Sequence, residues 1–364
     1  MRTSHKICGV LSLCVLLLTA CAQPASPSST AARLLSETTV TPGALRARRI
    51  PTKAETPVVA APQPAATARP IAPAAAIGAR QHLMALAGTS SPRLPGSPEE
   101  AQAAQYILTT FKAFGYKTQV QSFPFTAEDN QDLTSANVIA LKPGRSSREI
   151  IIGAHYDSPE DGQGADDNAS GVAVLLAAAE EVKSIDTPYT LRFIAFGAEE
   201  NDLNGSRYYV EQLSKSDIQN VVAMINLDSL IAGDIAYVYG DAGTPDSLRD
   251  WLLKTAQNQG LELEGKTAKD MDNADGTPCE CADYDAFQRA GIPFVYFEAT
   301  NWTLGDQDGT TQVAVNYGEH GLIRHTRFDT IDYLEATFPG RIDQHLKLFT
   351  TLLVQALTQF TAPN

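Results

Sequence analysis

Cysteine is scarce in this 364-residue chain: there are five, and three of them fall within the first 21 positions, so no disulfide framework can hold the fold together. Long apolar runs are lacking as well, and the main one, 7 to 18, is too short to cross a bilayer as a mature helix. A basic balance is missing: 42 acidic residues against 28 basic ones leave a formal charge of −14, which disfavours nucleic acid as a partner. No internal repeat is visible. What the length leaves, once the N-terminal region is set aside, is one large α/β domain with an ample core.

The N-terminal region has its own logic. Arg2 and Lys6 precede the apolar run Ile7 to Leu18, the layout of a signal peptide over 1–20. Leu18-Thr19-Ala20-Cys21 resembles the lipobox of bacterial lipoproteins, which implies a lipidated Cys21, membrane contact through that lipid alone, and a place on the periplasmic or outer face of the cell envelope. From 21 to 76 the chain is dominated by Ala, Pro, Ser and Thr; with few large apolar residues it reads as an extended, disordered tether. The folded domain is expected over 77–364. Its two cysteines, Cys279 and Cys281, form either a local disulfide or a reduced pair, and with no second pair nearby they argue only weakly for a metal site.

Within the domain, helical and strand patterns alternate. Helices are expected at Glu99 to Phe114, Gly171 to Val182, Asp246 to Asn258, Tyr284 to Ala290 and Ile342 to Leu357. Strands are expected at Lys117 to Phe123, Asn137 to Leu141, Glu149 to Ala154, Leu191 to Phe196, Val221 to Leu227, Ile235 to Tyr239 and Phe294 to Phe297. Several strands are apolar throughout, as central strands covered on both faces must be. The pattern predicts a three-layer α/β/α sandwich around a mixed, mainly parallel sheet.

Polar residues that end buried strands are the first place to look for chemistry, because open α/β sheets bind ligands beyond the carboxyl ends of their strands. Here His155 and Asp157 follow one strand, Glu199 and Glu200 another, and Asp228 a third; Asp166 and Asp167 precede a helix, and His325 and Asp329 precede the last helical region. Taken singly each has an ordinary explanation, such as a helix cap or a solvated charge. Taken together, so many carboxylates in one crevice repel one another unless a cation sits among them. Mixed imidazole and carboxylate donors suit zinc, and their number suggests two ions about 3.5–4 Å apart sharing one carboxylate.

The ordered set His155-x-Asp157, Gly164-Ala-Asp-Asp-Asn-x-Ser-Gly171, Gly197-Ala-Glu-Glu200, Asn226-Leu-Asp228 and His325-Thr-x-x-Asp-Thr330 resembles the co-catalytic zinc peptidases of metallopeptidase family twenty-eight, typified by secreted bacterial leucine aminopeptidases. Arg93 to Ser97, Gly205-Ser206, and Asp283 with Phe287 fit the same family. The resemblance implies an aminopeptidase acting on peptides with two zinc ions per chain: His155 and Asp228 on one, Glu200 and His325 on the other, Asp166 between them, and Glu199 as general base. It also implies a cis peptide between Asp166 and Asp167, with Asp167 supporting the ligands without binding a metal, Asp157 orienting His155 and Asp329 orienting His325.

Two departures bear on the reading. Well-studied members carry a tyrosine before the last histidine ligand, where its hydroxyl steadies the oxyanion; this chain has Arg324, suited to that task or to a substrate carboxylate. The family's Ser-Asp-His segment is Ala282-Asp283-Tyr284 here, and Tyr284 and Tyr317 are candidates to replace the missing hydroxyl. The alternatives are a carboxypeptidase or dipeptidase of the same family, a single-zinc transferase of the glutaminyl cyclase type, and a non-catalytic binding domain. Oligomeric state is left open by the sequence.

Overall fold

Continuous apolar runs become the middle of the sheet. In the computed structural model, which describes residues 73–88, 91–127, 129–240, 247–272 and 279–362, the chain begins with two helices, α1 (Pro73–Ala87) and α2 (Pro98–Ala113), and three strands, β1 (Lys117–Thr126), β2 (Asp132–Lys142) and β3 (Ser146–His155). There follow α3 (Gly171–Val182), β4 (Tyr189–Phe196), the short helices α4 (Asn204–Glu211) and α5 (Lys215–Asn220), β5 (Val221–Leu227), β6 (Ile235–Gly240), α6 (Leu248–Gln259) and the two-residue β7 (Glu264–Gly265). The chain ends with α7 (Tyr284–Arg289), β8 (Phe294–Thr300), α8 (Ile331–Thr337) and α9 (Arg341–Gln359). The expected signal peptide, the lipidated Cys21 and nearly all of the tether lie outside the described residues. Helix α1 starts at Pro73, slightly inside the segment expected to be tether.

The eight strands form one sheet in the order β1-β2-β4-β3-β5-β8-β6-β7. The central four, β4, β3, β5 and β8, run parallel to one another. Antiparallel pairing is confined to the flanks, where β1 meets β2, β2 meets β4, and β6 meets β8. Because successive side chains alternate across a strand, Ile150, Ile152 and Ala154 of β3 enter one core with α1, α2, α3, α6 and α9, while Ile151 enters the other with Tyr209 of α4 and Phe287 of α7. This is the three-layer sandwich expected from the sequence. Close packing at the sheet's carboxyl edge depends on Gly171, where a Cβ would overlap the Leu227 carbonyl and the Asn168 side chain. That contact seats the start of α3 against the end of β5, directly beneath the polar residues that follow. Among the described residues no helix is long and apolar enough to cross a membrane.

Candidate metal centre

The parallel strands deliver their polar residues to one edge. His155 is the last residue of β3 and Asp228 immediately follows β5; past β4 the chain turns through Ala198, at φ 51°, into Glu199 and Glu200. Ser229, next to Asp228, and His325, on the long connection after β8, are also left-handed, at φ 51° and 57°. Left-handed backbone at non-glycine residues persists only where neighbours over-determine it. Glu100 of α2 supplies part of that support. Buried to 2% exposure, it accepts hydrogen bonds from the Ala198 N–H at 3.0 Å, the Ser135 hydroxyl at 2.5 Å and the Gly96 N–H at 2.7 Å.

The side chains converge around Asp167. Its Oδ1 lies 3.1 Å from His155 Nε2 and its Oδ2 3.0 Å from His325 Nε2. On one side His155 Nε2 also stands 3.4 Å from Asp228 and 3.8 Å from Glu199. On the other, His325 Nε2 is 3.4 Å from Glu200. Asp167 therefore spans two groups of donors, His155 with Asp228 and His325 with Glu200.

That arrangement corrects the sequence expectation, which put Asp166 in the middle and a cis peptide between Asp166 and Asp167. The cis peptide is Asp167–Asn168, and Asp166 faces the other way. Its Oδ1 accepts the Ile231 and Ala232 N–H groups at 2.7 and 2.9 Å, and its Oδ2 accepts Gln312 Nε2 at 2.7 Å. Protein donors thus use both oxygens, and Asp166 is a tie between loops. Asp329, expected to orient His325, instead accepts the Asp166 and Asp167 N–H groups at 2.6 and 3.0 Å. Asp157 does sit by its histidine, with Oδ1 3.6 Å from His155 Nδ1, and its Oδ2 accepts the Glu200 N–H at 3.0 Å.

Electrostatics and unpaired atoms both test whether a cation fits here. Burial pushes the Glu199 and Glu200 carboxyls well above their usual range, and raises Asp228 too. Burial also works against ionised Asp167, but the two imidazoles outweigh it and hold that group well below its ordinary value. Buried His155 Nδ1, Asp167 Oδ1 and Glu200 Oε1 have no hydrogen-bond partner among the described residues. Ligand atoms of His155, Asp167 and Glu200, and likewise of His155, Glu199 and Asp228, fall within 4.8 Å of one another. Crowded acids that oppose one another's ionisation, with orphaned oxygens, are what divalent cations neutralise. Imidazole and carboxylate donors suit zinc.

The donors line a pocket of about 630 Å³, whose walls include Tyr239, Tyr296, Glu298, Trp302, Arg324 and the disulfide-joined Cys279 and Cys281. Tyr284 and Tyr317 are not among its lining residues. Tyr284 is stacked on Phe294 with ring centroids 4.4 Å apart and is 1% exposed, while Tyr317 packs edge-on against Phe338. The aromatic hydroxyls at the pocket belong instead to Tyr239 and Tyr296, which the sequence reading passed over as strand residues. Gln312 carries no motif signal, and its Oε1 accepts the Ile323 and Arg324 N–H groups at 3.0 and 2.8 Å; Asn168, part of the Gly164–Gly171 motif, donates to the Leu227 carbonyl at 2.9 Å. Arg93, noted only as part of a motif, is a buried cation that donates to the carbonyls of Tyr156, Gln163 and Gly164. It thereby fixes the loop between His155 and Asp167.

Comparison with known proteins bears on the family. The profile of peptidase family M28 matches residues 137–350, more than half of the chain. The alkaline phosphatase isozyme conversion protein of Escherichia coli is 32% identical over 283 residues, covering 70% of this chain and 82% of its own. The probable lipoprotein aminopeptidase LpqL of Mycobacterium tuberculosis is 34% identical over 257 residues, 64% of this chain, and the match spans only 49% of that protein. Among solved structures, the zinc aminopeptidase BSAP of Bacillus subtilis superposes with a TM-score of 0.62 at 18% identity, covering 78% of this chain and 95% of its own. The glutaminyl cyclase of Porphyromonas gingivalis superposes with a TM-score of 0.60 at 20% identity, covering 78% and 97%. The fold is common to both activities, whereas the profile match over more than half the chain, taken with the clustered histidines and carboxylates, decides the family: this chain belongs to peptidase family M28.

Proposed function

We propose that the chain is a zinc-dependent aminopeptidase with two zinc ions, one held by His155 and Asp228, the other by Glu200 and His325, with Asp167 shared between them and Glu199 as general base. The observation that carries this is Asp167, whose two carboxylate oxygens face the two imidazoles at 3.1 and 3.0 Å. Zinc, when bound, supplies Lewis acidity to an attacking water and to the scissile carbonyl.

The protein's own groups do the rest. Glu199, half-buried and raised by desolvation well above the ordinary carboxyl range, is suited to take a proton from the attacking water and return it to the leaving amine. It stands beside Asp228 and His155, so the same acidic wall is suited to a peptide's α-ammonium, which favours cleavage next to a free N-terminus. Arg324 lines the pocket at the position where the leucine aminopeptidase resemblance leads one to expect a tyrosine, and its guanidinium would serve the substrate carbonyl. Asp157 and Asp329 set the backbone of Glu200 and of the Asp166–Asp167 pair. We further propose that Cys21 carries the lipid that holds the enzyme to the extracytoplasmic face of the envelope; the name of the LpqL relative supports this.

Hydrolysis of aminoacyl p-nitroanilides and their N-acetylated forms, before and after chelation, tests the activity. Chelator-sensitive release from the free forms only is expected. Cleavage beside a free C-terminus instead would indicate a carboxypeptidase, and cyclisation of N-terminal glutamine without hydrolysis would indicate a glutaminyl cyclase.

A further inference from the structure

Strand β8 is buried along its whole length, yet it carries a carboxylate: Glu298 is 5% exposed within Phe294–Thr300. Such a group is costly unless paired. Here it is paired twice. Tyr239, on the neighbouring antiparallel strand β6, donates its hydroxyl hydrogen to Glu298 Oε2 at 2.6 Å, and Arg324 Nη1 donates to Oε1. Trp302 Nε1 in turn donates to the Tyr239 oxygen at 2.8 Å, and the Lys266 ammonium sits 4.3 Å from the centroid of the Trp302 ring. Trp302, Tyr239, Glu298 and Arg324 thus form a hydrogen-bonded chain, and all four line the pocket that holds the zinc donors.

The chain ends on a guanidinium fixed at both ends. The Arg324 backbone N–H is held by Gln312, which also holds Asp166. Its head is held by Glu298, and among the described residues no acceptor takes Nε or Nη2; the side chain is 23% exposed. Arg324 directly precedes His325 in sequence. A flexible arginine would spread its donors over many positions, whereas one clamped to a rigid strand aims them, and aimed donors need no reorganisation when charge develops on a substrate oxygen.

We propose that Glu298, braced by Tyr239 and Trp302, is the positioning residue that aims the free donors of Arg324 at the scissile carbonyl, so that the four residues act as one unit. The inference rests on the aminopeptidase reading and extends it to residues that hold no metal. Its balance is simple, because Arg324 only donates hydrogen bonds to the developing oxyanion and no proton leaves it.

The test is a set of variants assayed with one aminoacyl p-nitroanilide, each checked for zinc content and melting midpoint. Arg324→Ala is expected to lower kcat by ~100-fold, the usual cost of one oxyanion donor. Glu298→Gln and the milder Tyr239→Phe are expected to lower kcat by ~10-fold, with KM within about threefold, as supporting residues do. Guanidinium added at a non-denaturing concentration should restore part of the Arg324→Ala loss, and should restore much less in Arg324→Ala/Glu298→Gln, where the anchor is gone. A purely structural Glu298 would not change that rescue. Equal rescue in both backgrounds, or a kcat unchanged in both Glu298→Gln and Tyr239→Phe, overturns the positioning role and leaves the aminopeptidase reading standing. A wild-type chain that hydrolyses no aminoacyl substrate overturns both.

Discussion

The difference between Asp166 and Asp167 shows how a single residue step decides chemistry. Neighbouring side chains on a non-helical backbone point in different directions, so only one of two adjacent carboxylates can enter a given cleft. Two consecutive aspartates in the sequence therefore show that a carboxylate arrives, without showing which. In the structure Asp166 is occupied by Ile231, Ala232 and Gln312, and Asp167 faces the histidines. The two residues should fail differently. Asp167→Asn should lower zinc content and reduce kcat/KM by more than the ~10–100-fold typical of a supporting residue. Asp166→Asn should show mainly as a loss of roughly 1–3 kcal/mol in denaturant unfolding, because an amide NH2 in place of Oδ2 leaves the buried Gln312 Nε2 donor facing another donor. Glu199→Gln should keep its zinc and lose ~100- to 10,000-fold in kcat, as expected for a general base. Elemental analysis beside steady-state kinetics separates the three.

At the scale of elements, the site depends on ties between helix, strand and loop. Ser97 caps α2, accepting the Glu100 N–H at 3.1 Å, and Glu100 then reaches across to the Ala198 N–H that begins the Glu199–Glu200 turn. Burial is the main influence raising the Glu100 carboxyl, to about 7. Glu100→Ala should cost roughly 1–3 kcal/mol of stability through its unpaired neighbours and lower kcat as Glu199 loses its support; unchanged melting and unchanged kcat would contradict that tie. The elements themselves were largely legible. Short, mostly apolar runs such as Val221 to Leu227 and the Ala- and Leu-rich stretch Gly171 to Val182 fall where expected, because burial on both faces leaves a composition that nothing else explains. Helix α1 was not legible: its Ala- and Pro-rich start blends into the tether, although alanine is also the strongest helix former. The short α4, α5 and α8 carry too few turns for periodicity to register. The Glu298 pair was missed, yet its signal was present as one carboxylate in the otherwise uncharged run Phe294 to Thr300.

For the whole molecule, stability and metal binding meet at the sheet's carboxyl edge. His345 of α9 is buried, with Nδ1 3.1 Å from the Leu230 carbonyl. Desolvation, then Arg341, lowers it from 6.5 to about 4. The folded state therefore keeps it neutral while the unfolded chain takes up a proton first, so its contribution is complete above about pH 6.5 and is lost as pH falls toward 4. Unfolding of wild type and His345→Gln should differ in their pH dependence by as much as about 3 kcal/mol over that window; parallel curves would contradict it.

The most direct measurement is a zinc titration of the metal-free folded domain, followed by calorimetry and activity together. Two zinc ions per chain, with activity rising as they bind and both sites weakened in Asp167→Asn, is the result expected from a shared carboxylate. Saturation at one ion per chain, or two ions bound normally by Asp167→Asn, would contradict a two-zinc peptidase centred on Asp167.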